Sequence, residues 1–310
     1  MELEDLPRQP FTARSAAARG IARSRLRKAV RDGLVRRVTQ GVYLRRDVEL
    51  TTELKLAAVG MVINRHAVAC DRTAAWIWGV DVFELRELDG VPPIESMVLS
   101  GHRRPERAEV RGGERQLWPG DWVTVNGVRV TTPVRTAADL GCRLNRRPAL
   151  AAMDALMRAH GFTHGDLGRL LPRYFRRRGV CQLRELLPLV DPRAESQPES
   201  WVRLELHDHG LPPPEPQWWV AVDGIPTYRI DLAYPNAKIA IEYNGVEFHS
   251  KPEDRRSDDE RREWLERHGW TVVVVTEQAF ASDFDLGWIL AVKEALAVAQ
   301  RAPRRWYVRV

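Results

Sequence analysis

The sequence predicts an α+β multidomain chain, and three observations carry that reading. Residues 11–46 run helix, turn, helix, hairpin, with a heavy bias toward cations. Residues 51–190 mix apolar helical stretches with short β-prone runs. Residues 191–310 read as helix, three strands, helix, strand and a closing helix. The domain limits are placed accordingly at 1–50, 51–190 and 191–310.

Composition sets the outer bounds. With 310 residues there is room for two domains or more. Hydrophobic residues at 44% and charged residues at 29% are ordinary for a globular chain. The net charge of +6 is a mild hint of a polyanionic partner. Cys70, Cys142 and Cys181 are far apart with no C-x-x-C, so neither a disulfide framework nor a zinc site follows, and a reducing cytoplasm fits. The acidic, proline-bearing start MELEDLPRQP does not read as a secretory signal. No apolar run approaches the roughly 20 residues of a membrane span.

In the first domain, Thr12 is positioned to cap a helix through Ala18 that Gly20 ends. Ser24 is the expected cap of a second helix, in which Leu26 and Val30 face the core, and Gly33 ends it. LVRRVTQGVYL then alternates as two strands around Gln40-Gly41. Eleven cations stand against the single acid Asp32 in residues 11–46. A charge run is usually a solvated face. Here it coincides with a winged helix-turn-helix pattern, which would set the second helix in the major groove of DNA. The candidate DNA contacts are Arg23, Arg25, Arg27, Lys28, Arg31, Arg36 and Arg37. The segment GIARSRLRKAVRDGLVRRVTQGVYLR resembles the N-terminal domain of AbiEi-type antitoxins over roughly residues 8–50. The resemblance implies double-stranded DNA as a partner, and a cognate toxin or other defence protein as a second.

Residues 51–190 read as a packed α+β domain. Glu53–Ile63 and RHAVACDRTAAWIWGV are expected helices, with Trp76 and Trp78 in a core. His66 and Asp71 have no nucleophile or metal spacing beside them and read as structural. Met97–Ser100 and Trp122–Thr131 have strand character, the latter with the hairpin signal Asn126-Gly127. A helix begins in TTPVRTAADLGCRL, and helices continue to about Leu189. VNGVRVTTPVRTAADL is similar to the continuation of AbiEi-type proteins, where a regulatory or partner-binding role is expected. Arg173, Arg176, Arg177 and Arg178, interleaved with Tyr174 and Phe175, suit either a phosphate backbone or a solvated helix end.

The third domain centres on YRIDLAYPNAKIAIEYNGVEFH, two strands joined at Pro235-Asn236-Ala237. Alternation puts Arg229, Asp231 and Ala233 on one face, and Lys238, Ala240, Glu242 and Asn244 on one face of the next strand. A two-residue loop at Asn236-Ala237 pairs Asp231 with Glu242, about 4.5–5.5 Å apart at Cβ. Two carboxylates that close repel, and a divalent metal, a shared proton or a lysine can offset the repulsion. Around the hairpin, Ser196 or Ser200 caps a helix over Trp201–His209, and Gln217–Val222 is a strand. A helix at Asp258–Arg267, an apolar strand at Trp270–Thr276 expected in the sheet centre, and a helix at Leu286–Gln300 complete the order.

That order, with Asp231 and then Glu242-Tyr243-Asn244, resembles the very-short-patch-repair-like branch of the PD-(D/E)XK nucleases, from about Glu195 to Glu277. The resemblance implies an α/β restriction-endonuclease-like fold and a Mg²⁺- or Mn²⁺-dependent endodeoxyribonuclease. Asp231, Glu242 and the Tyr243 carbonyl would hold the metal, and Glu199 would be the upstream helix acid. Asn244 and His249 would position or deprotonate the nucleophile. Asn244 stands where the family has lysine, so no positive charge is supplied there. Two rival readings are an antitoxin-like DNA-binding regulator whose nuclease fold is inactive, and a nuclease directed at RNA. The alternative for the acid pair itself is a cross-strand bridge through Arg229 or Lys238, with Arg255, Arg256, Arg261 and Arg262 as phosphate contacts or surface charges.

Overall fold

The computed structural model describes residues 3–82, 93–99, 110–245, 252–280 and 286–301; the side chains of 114 and 252–258 lie outside that description. The chain divides into two compact units, Met1–Val190 and Asp191–Val310.

The N-terminal unit begins with strand β1 (Phe11–Thr12), helices α1 (Ala13–Ala18) and α2 (Arg23–Arg31), and strands β2 (Val35–Thr39) and β3 (Val42–Arg45). The three strands form one sheet in the order β1-β3-β2. Thr12 caps α1 in a capping box with Ser15, and Gly20 and Gly33 turn the chain at φ +78° and +71°. Leu6, Phe11, Ala16, Ile21, Leu26, Ala29 and Val35 make the core, with Val30 packed at its margin. Two details differ from the sequence reading. The N-cap of α2 is Ala22, with no side-chain bond, so Ser24 lies inside the helix. At two residues, β1 is too short to show alternation.

A five-stranded sheet follows in the order β6-β5-β4-β8-β7. Its strands are β4 (Ala67–Ala69), β5 (Ile94–Val98), β6 (Val110–Glu114), β7 (Trp122–Val125) and β8 (Val128–Thr131), with helices α3 (Thr52–Gly60) and α4 (Asp71–Ile77). The expected helix over RHAVACDRTAAWIWGV is therefore corrected: Ala67–Ala69 form β4, and the helix is confined to Asp71–Ile77. All three β4 residues are buried between β5 and β8, so no polar face marks the period as 2. Strand β5 starts at Ile94, three residues before the expected Met97. Asn126 (φ +49°) and Gly127 (φ +77°) form the predicted tight hairpin between β7 and β8. Helices α5 (Pro133–Arg143), α6 (Arg146–His160), α7 (His164–Leu170) and α8 (Val180–Leu186) complete the unit.

The C-terminal unit contains α9 (Gln197–Asp208), β9 (Glu215–Val222), β10 (Ile225–Tyr234), β11 (Ile239–Asn244), α10 (Pro252–Arg267), β12 (Thr271–Thr276) and α11 (Gly287–Arg301). The sheet order is β12-β11-β10-β9; β10 is antiparallel to both neighbours, and β11 is parallel to β12. One side chain layer joins Val202, Leu206, Leu232, Tyr234, Ile241 and Val275 with Trp288 and Ile289. A second joins Val220, Ile230, Ala233 and Ala240 to Leu265 and Trp270. Strand β12 is at the sheet edge, not in its centre, and Val274 is 36% exposed. Its apolar run reflects packing on α11 and α10 rather than a central place. Among the described residues no helix is long and apolar enough to cross a membrane.

Candidate nucleic-acid interface and acidic site

Two surfaces hold the residues singled out in the sequence. The first lies on the helix–turn–helix and its hairpin. With Leu26 and Ala29 buried, α2 points Arg23, Arg25, Arg27, Lys28 and Arg31 outward. Arg23, Arg27 and Arg31, spaced four apart on one face, line a groove of about 940 Å³ with Arg37 and Tyr43 of the hairpin and Ala13 of α1. Arg25 and Lys28 are exposed outside that groove. Among the described residues, none of Arg23, Arg25, Arg27, Lys28, Arg31 and Arg37 has a side-chain hydrogen bond or ion pair. Arg36 departs from this set: its Nη2 donates to the Val48 carbonyl at 2.5 Å, which holds it inward.

The middle of the unit uses its arginines in the opposite way. Arg115 makes a bidentate pair with Asp71, both contacts at 2.9 Å, and donates to Asp139 at 2.7 Å. Arg135 donates to Asp139 at 2.9 Å and Asp121 at 2.6 Å, while Arg173 reaches Asp121 at 2.7 Å. The Tyr174 hydroxyl donates to Asp139 at 2.7 Å. Burial by itself would raise the Asp139 carboxyl; Arg115 and Arg135 hold it below the ordinary range. Asp71 is buried in an ion pair with Arg115, while His66 accepts from Arg65 Nε at 3.0 Å. Arg173 is thus committed internally, whereas Arg176 lies over the exposed Phe175 ring. Sequence reading missed this network because its members are spread over about a hundred positions without a motif.

The second surface is the acid cluster of the C-terminal unit. Ala233 pairs with Ala240 and Leu232 with Ile241, the register the sequence required, and its continuation by one residue sets Asp231 against Glu242. The Tyr243 N–H donates to Asp231 Oδ2 at 3.2 Å. The loop itself is corrected: a 3-10 turn over Pro235–Ala237, then Lys238 at φ +50°, preserves that register. Facing is corrected too. Ile230 and Ala233, three apart, share one layer while Leu232 is in the other, so regular alternation breaks at Asp231.

Burial raises the Asp231 carboxyl to about 6, and the negative charges of Glu199 and Glu242 add to the effect. Glu242 is 2% exposed, and its Oε2 meets Arg261 at 3.1 Å and Arg262 at 3.5 Å. Its Oε1 is buried with no hydrogen-bond partner among the described residues. The alternative bridges do not form: Arg229 pairs with Glu195 at 2.8 Å, and Lys238 donates to the His268 carbonyl at 3.0 Å. Glu199 accepts from Ser196 Oγ, the Glu195 N–H and Gln217 Nε2, so it is held by its own helix start. Asn244 ends β11, and the Tyr243 ring packs near Phe280. His249 lies outside the described residues, as do the side chains of Arg255 and Arg256.

Hard oxygen donors with an unpaired buried carboxylate oxygen fit a divalent cation between Asp231 and Glu242. Arg261 and Arg262 already offset part of the charge, and among the described residues no three His, Cys, Asp or Glu side chains gather closely enough to cage a metal.

Comparison with known proteins separates the two units. Residues 2–46 match a family described as "Transcriptional regulator, AbiEi antitoxin", and residues 67–189 match "AbiEi antitoxin C-terminal domain". Two uncharacterised Mycobacterium tuberculosis proteins, Rv2248 of strain H37Rv and MT2308 of strain CDC 1551, are each 34% identical over 259 residues, covering 82% of this chain and 90% of the relative. A match of that length extends beyond Val190 into the C-terminal unit. The chain belongs to one family with these proteins, and its N-terminal unit carries the AbiEi antitoxin domains.

Proposed function

We propose that this member of the AbiEi antitoxin family is a DNA-binding transcriptional regulator that grips duplex DNA through α2 and the β2–β3 hairpin. The observation that carries the reading is the groove lined by Arg23, Arg27, Arg31 and Arg37, whose guanidinium groups have no carboxylate partner among the described residues. Unpaired exposed cations on a helix that follows a tight turn are suited to neutralise backbone phosphates. Arg25 and Lys28, outside the groove, are placed for the flanking backbone or for base edges. The middle sheet and helices, fixed by their internal ion pairs, would present the surface for a cognate toxin, and the cytoplasm is the expected compartment.

The test is duplex binding by the full chain across a salt series. Every phosphate the protein stops neutralising should make the plot of log affinity against log salt shallower by about 0.9. Replacing Arg23, Arg27 and Arg31 together by alanine should weaken all duplexes and flatten that slope. Unchanged affinity and slope would end the proposal.

A second reading is favoured by the unpaired Glu242 Oε1 and the strand register that opposes Asp231 to it. In it the C-terminal unit hydrolyses phosphodiester bonds in DNA, or in RNA, with Mg²⁺ or Mn²⁺ supplying charge neutralisation and an acidified water. Asp231 and Glu242, with the Tyr243 carbonyl, would hold the ion, and Asn244 would orient water without adding charge. Glu199, already satisfied by three donors, would act from behind Asp231. Metal-dependent cleavage measured on duplex DNA, single-stranded DNA and RNA, with Asp231→Asn as control, tests this second reading, and no cleavage of any substrate would end it.

A further inference from the structure

Gln217 sits at an irregular point of β9. Its φ is +54°, a left-handed value that a side chain of this kind rarely adopts. Ile230 faces Trp218 and Leu232 faces Pro216, which brings Gln217 opposite Asp231. Continuing the β10–β11 register by one residue sets Glu242 against Asp231, so Gln217 and Glu242 lie on the two strands that flank it. The amide is not free to turn: Nε2 donates to Glu199 Oε2 at 2.8 Å, which leaves Oε1 as the atom presented away from Glu199. That Oε1 is buried and unpartnered among the described residues, as is Glu242 Oε1 on the far side of Asp231.

A buried acceptor without a donor costs free energy, and two of them flanking a buried carboxylate cost more. A proton on Asp231 can serve one of these acceptors, whereas an electropositive partner common to all three serves both at once. We propose that Gln217 Oε1 is a ligand of a hard divalent cation shared with Asp231 and Glu242, and that the role of Glu199 is to hold the Gln217 amide with its oxygen toward the ion. This rests on the cation reading of the C-terminal site, and adds to it a neutral donor from the edge strand that no acid motif would reveal. Two carboxylates and an amide oxygen form the mixed set that Mg²⁺ and Mn²⁺ accept alongside water.

The experiment is Mn²⁺ binding to the full chain near neutral pH, followed by electron paramagnetic resonance of the free ion, with circular dichroism as the check of folding. Gln217→Met keeps the side chain's length and removes its oxygen; it should weaken Mn²⁺ binding at least about tenfold. Gln217→Glu should tighten binding, and Asp231→Asn should remove it. A merely structural Gln217 predicts instead that both Gln217 variants lose thermal stability in chelator without changing Mn²⁺ affinity. If wild type binds Mn²⁺, Asp231→Asn does not, and both Gln217 variants bind as wild type does, the Gln217 assignment is wrong and the cation site stands. If wild type binds no Mn²⁺ at millimolar concentration, the cation reading fails and the assignment fails with it. Should Gln217→Met not fold, the opposite-signed expectation for Gln217→Glu decides alone.

Discussion

The arginines of α2 and those around Asp139 belong to the same compact unit and do opposite work. On α2 they project from a helix whose inward face is only Leu26, Ala29 and the margin of Val30, and no carboxylate meets them among the described residues. Around Asp139, Arg115 and Arg135 are almost wholly enclosed and each touches two aspartates. A cation count therefore says little about binding. What matters is whether the neighbouring acids are supplied by the chain or left for a partner to supply. The acid cluster of the C-terminal unit is a third case, with carboxylates in excess of the cations that face them.

The largest expected effect tests the enclosed set. Asp139→Ala takes from Arg115 and Arg135 one of the two aspartates each touches and leaves Asp71 and Asp121 in place, so the loss should stay below the about 3–5 kcal/mol of a buried charge left with no partner. Urea or thermal unfolding should show that loss, with DNA affinity per folded molecule unchanged. A change below about 1 kcal/mol would mean that Asp71 and Asp121 alone suffice to hold the two guanidinium groups.

Next comes Asp231. Its folded value near 6 lies above the ordinary 3.8, so the native state holds the proton more tightly than the unfolded chain. Stability therefore falls as pH rises from about 4 to about 6 and stays reduced above. Asp231→Asn should stabilise the metal-free protein at pH 7, by no more than about 3 kcal/mol, and lose that advantage near pH 4. A destabilised Asp231→Asn at pH 7 would place Asp231 in a satisfied structural bond instead.

Single groove substitutions come third. Arg27→Ala should leave the melting temperature almost unchanged while costing about 1–3 kcal/mol in duplex binding if it reads a base, or a salt slope about one smaller if it meets a phosphate. The smallest effect concerns the frame of that groove. Thr12→Ala removes the capping box of α1 and should cost about 1 kcal/mol of stability. Its DNA affinity should follow only through the folded fraction.

Much of this was legible in the sequence, for identifiable reasons. Gly20, Gly33, Asn126 and Gly127 mark turns because few other residues accept positive φ there. The register of Asp231 with Glu242 followed from counting outward from the Pro235 turn, even though the turn has a different shape. Strand β4 was not legible, because a strand buried on both faces lacks alternation. Nor was the role of Arg173, whose partner Asp121 is 52 positions away. Gln217 gave no signal at all: an isolated glutamine in an aromatic strand becomes notable only when three strands are set side by side.

Strand β12 has a consequence for how the chain is made. Its sequence TVVVVT carries no charge, and its sole neighbour among the described residues is β11, reached through the crossover helix α10. Parallel pairing across a crossover is slow to form, because loop closure must precede any compensating contact. Until it docks, this stretch can join the same stretch of another chain in cross-strand stacks. Shortened chains that retain residues 271–276 but lack α11 should accumulate in inclusion bodies, while those ending at Val190 avoid this hazard.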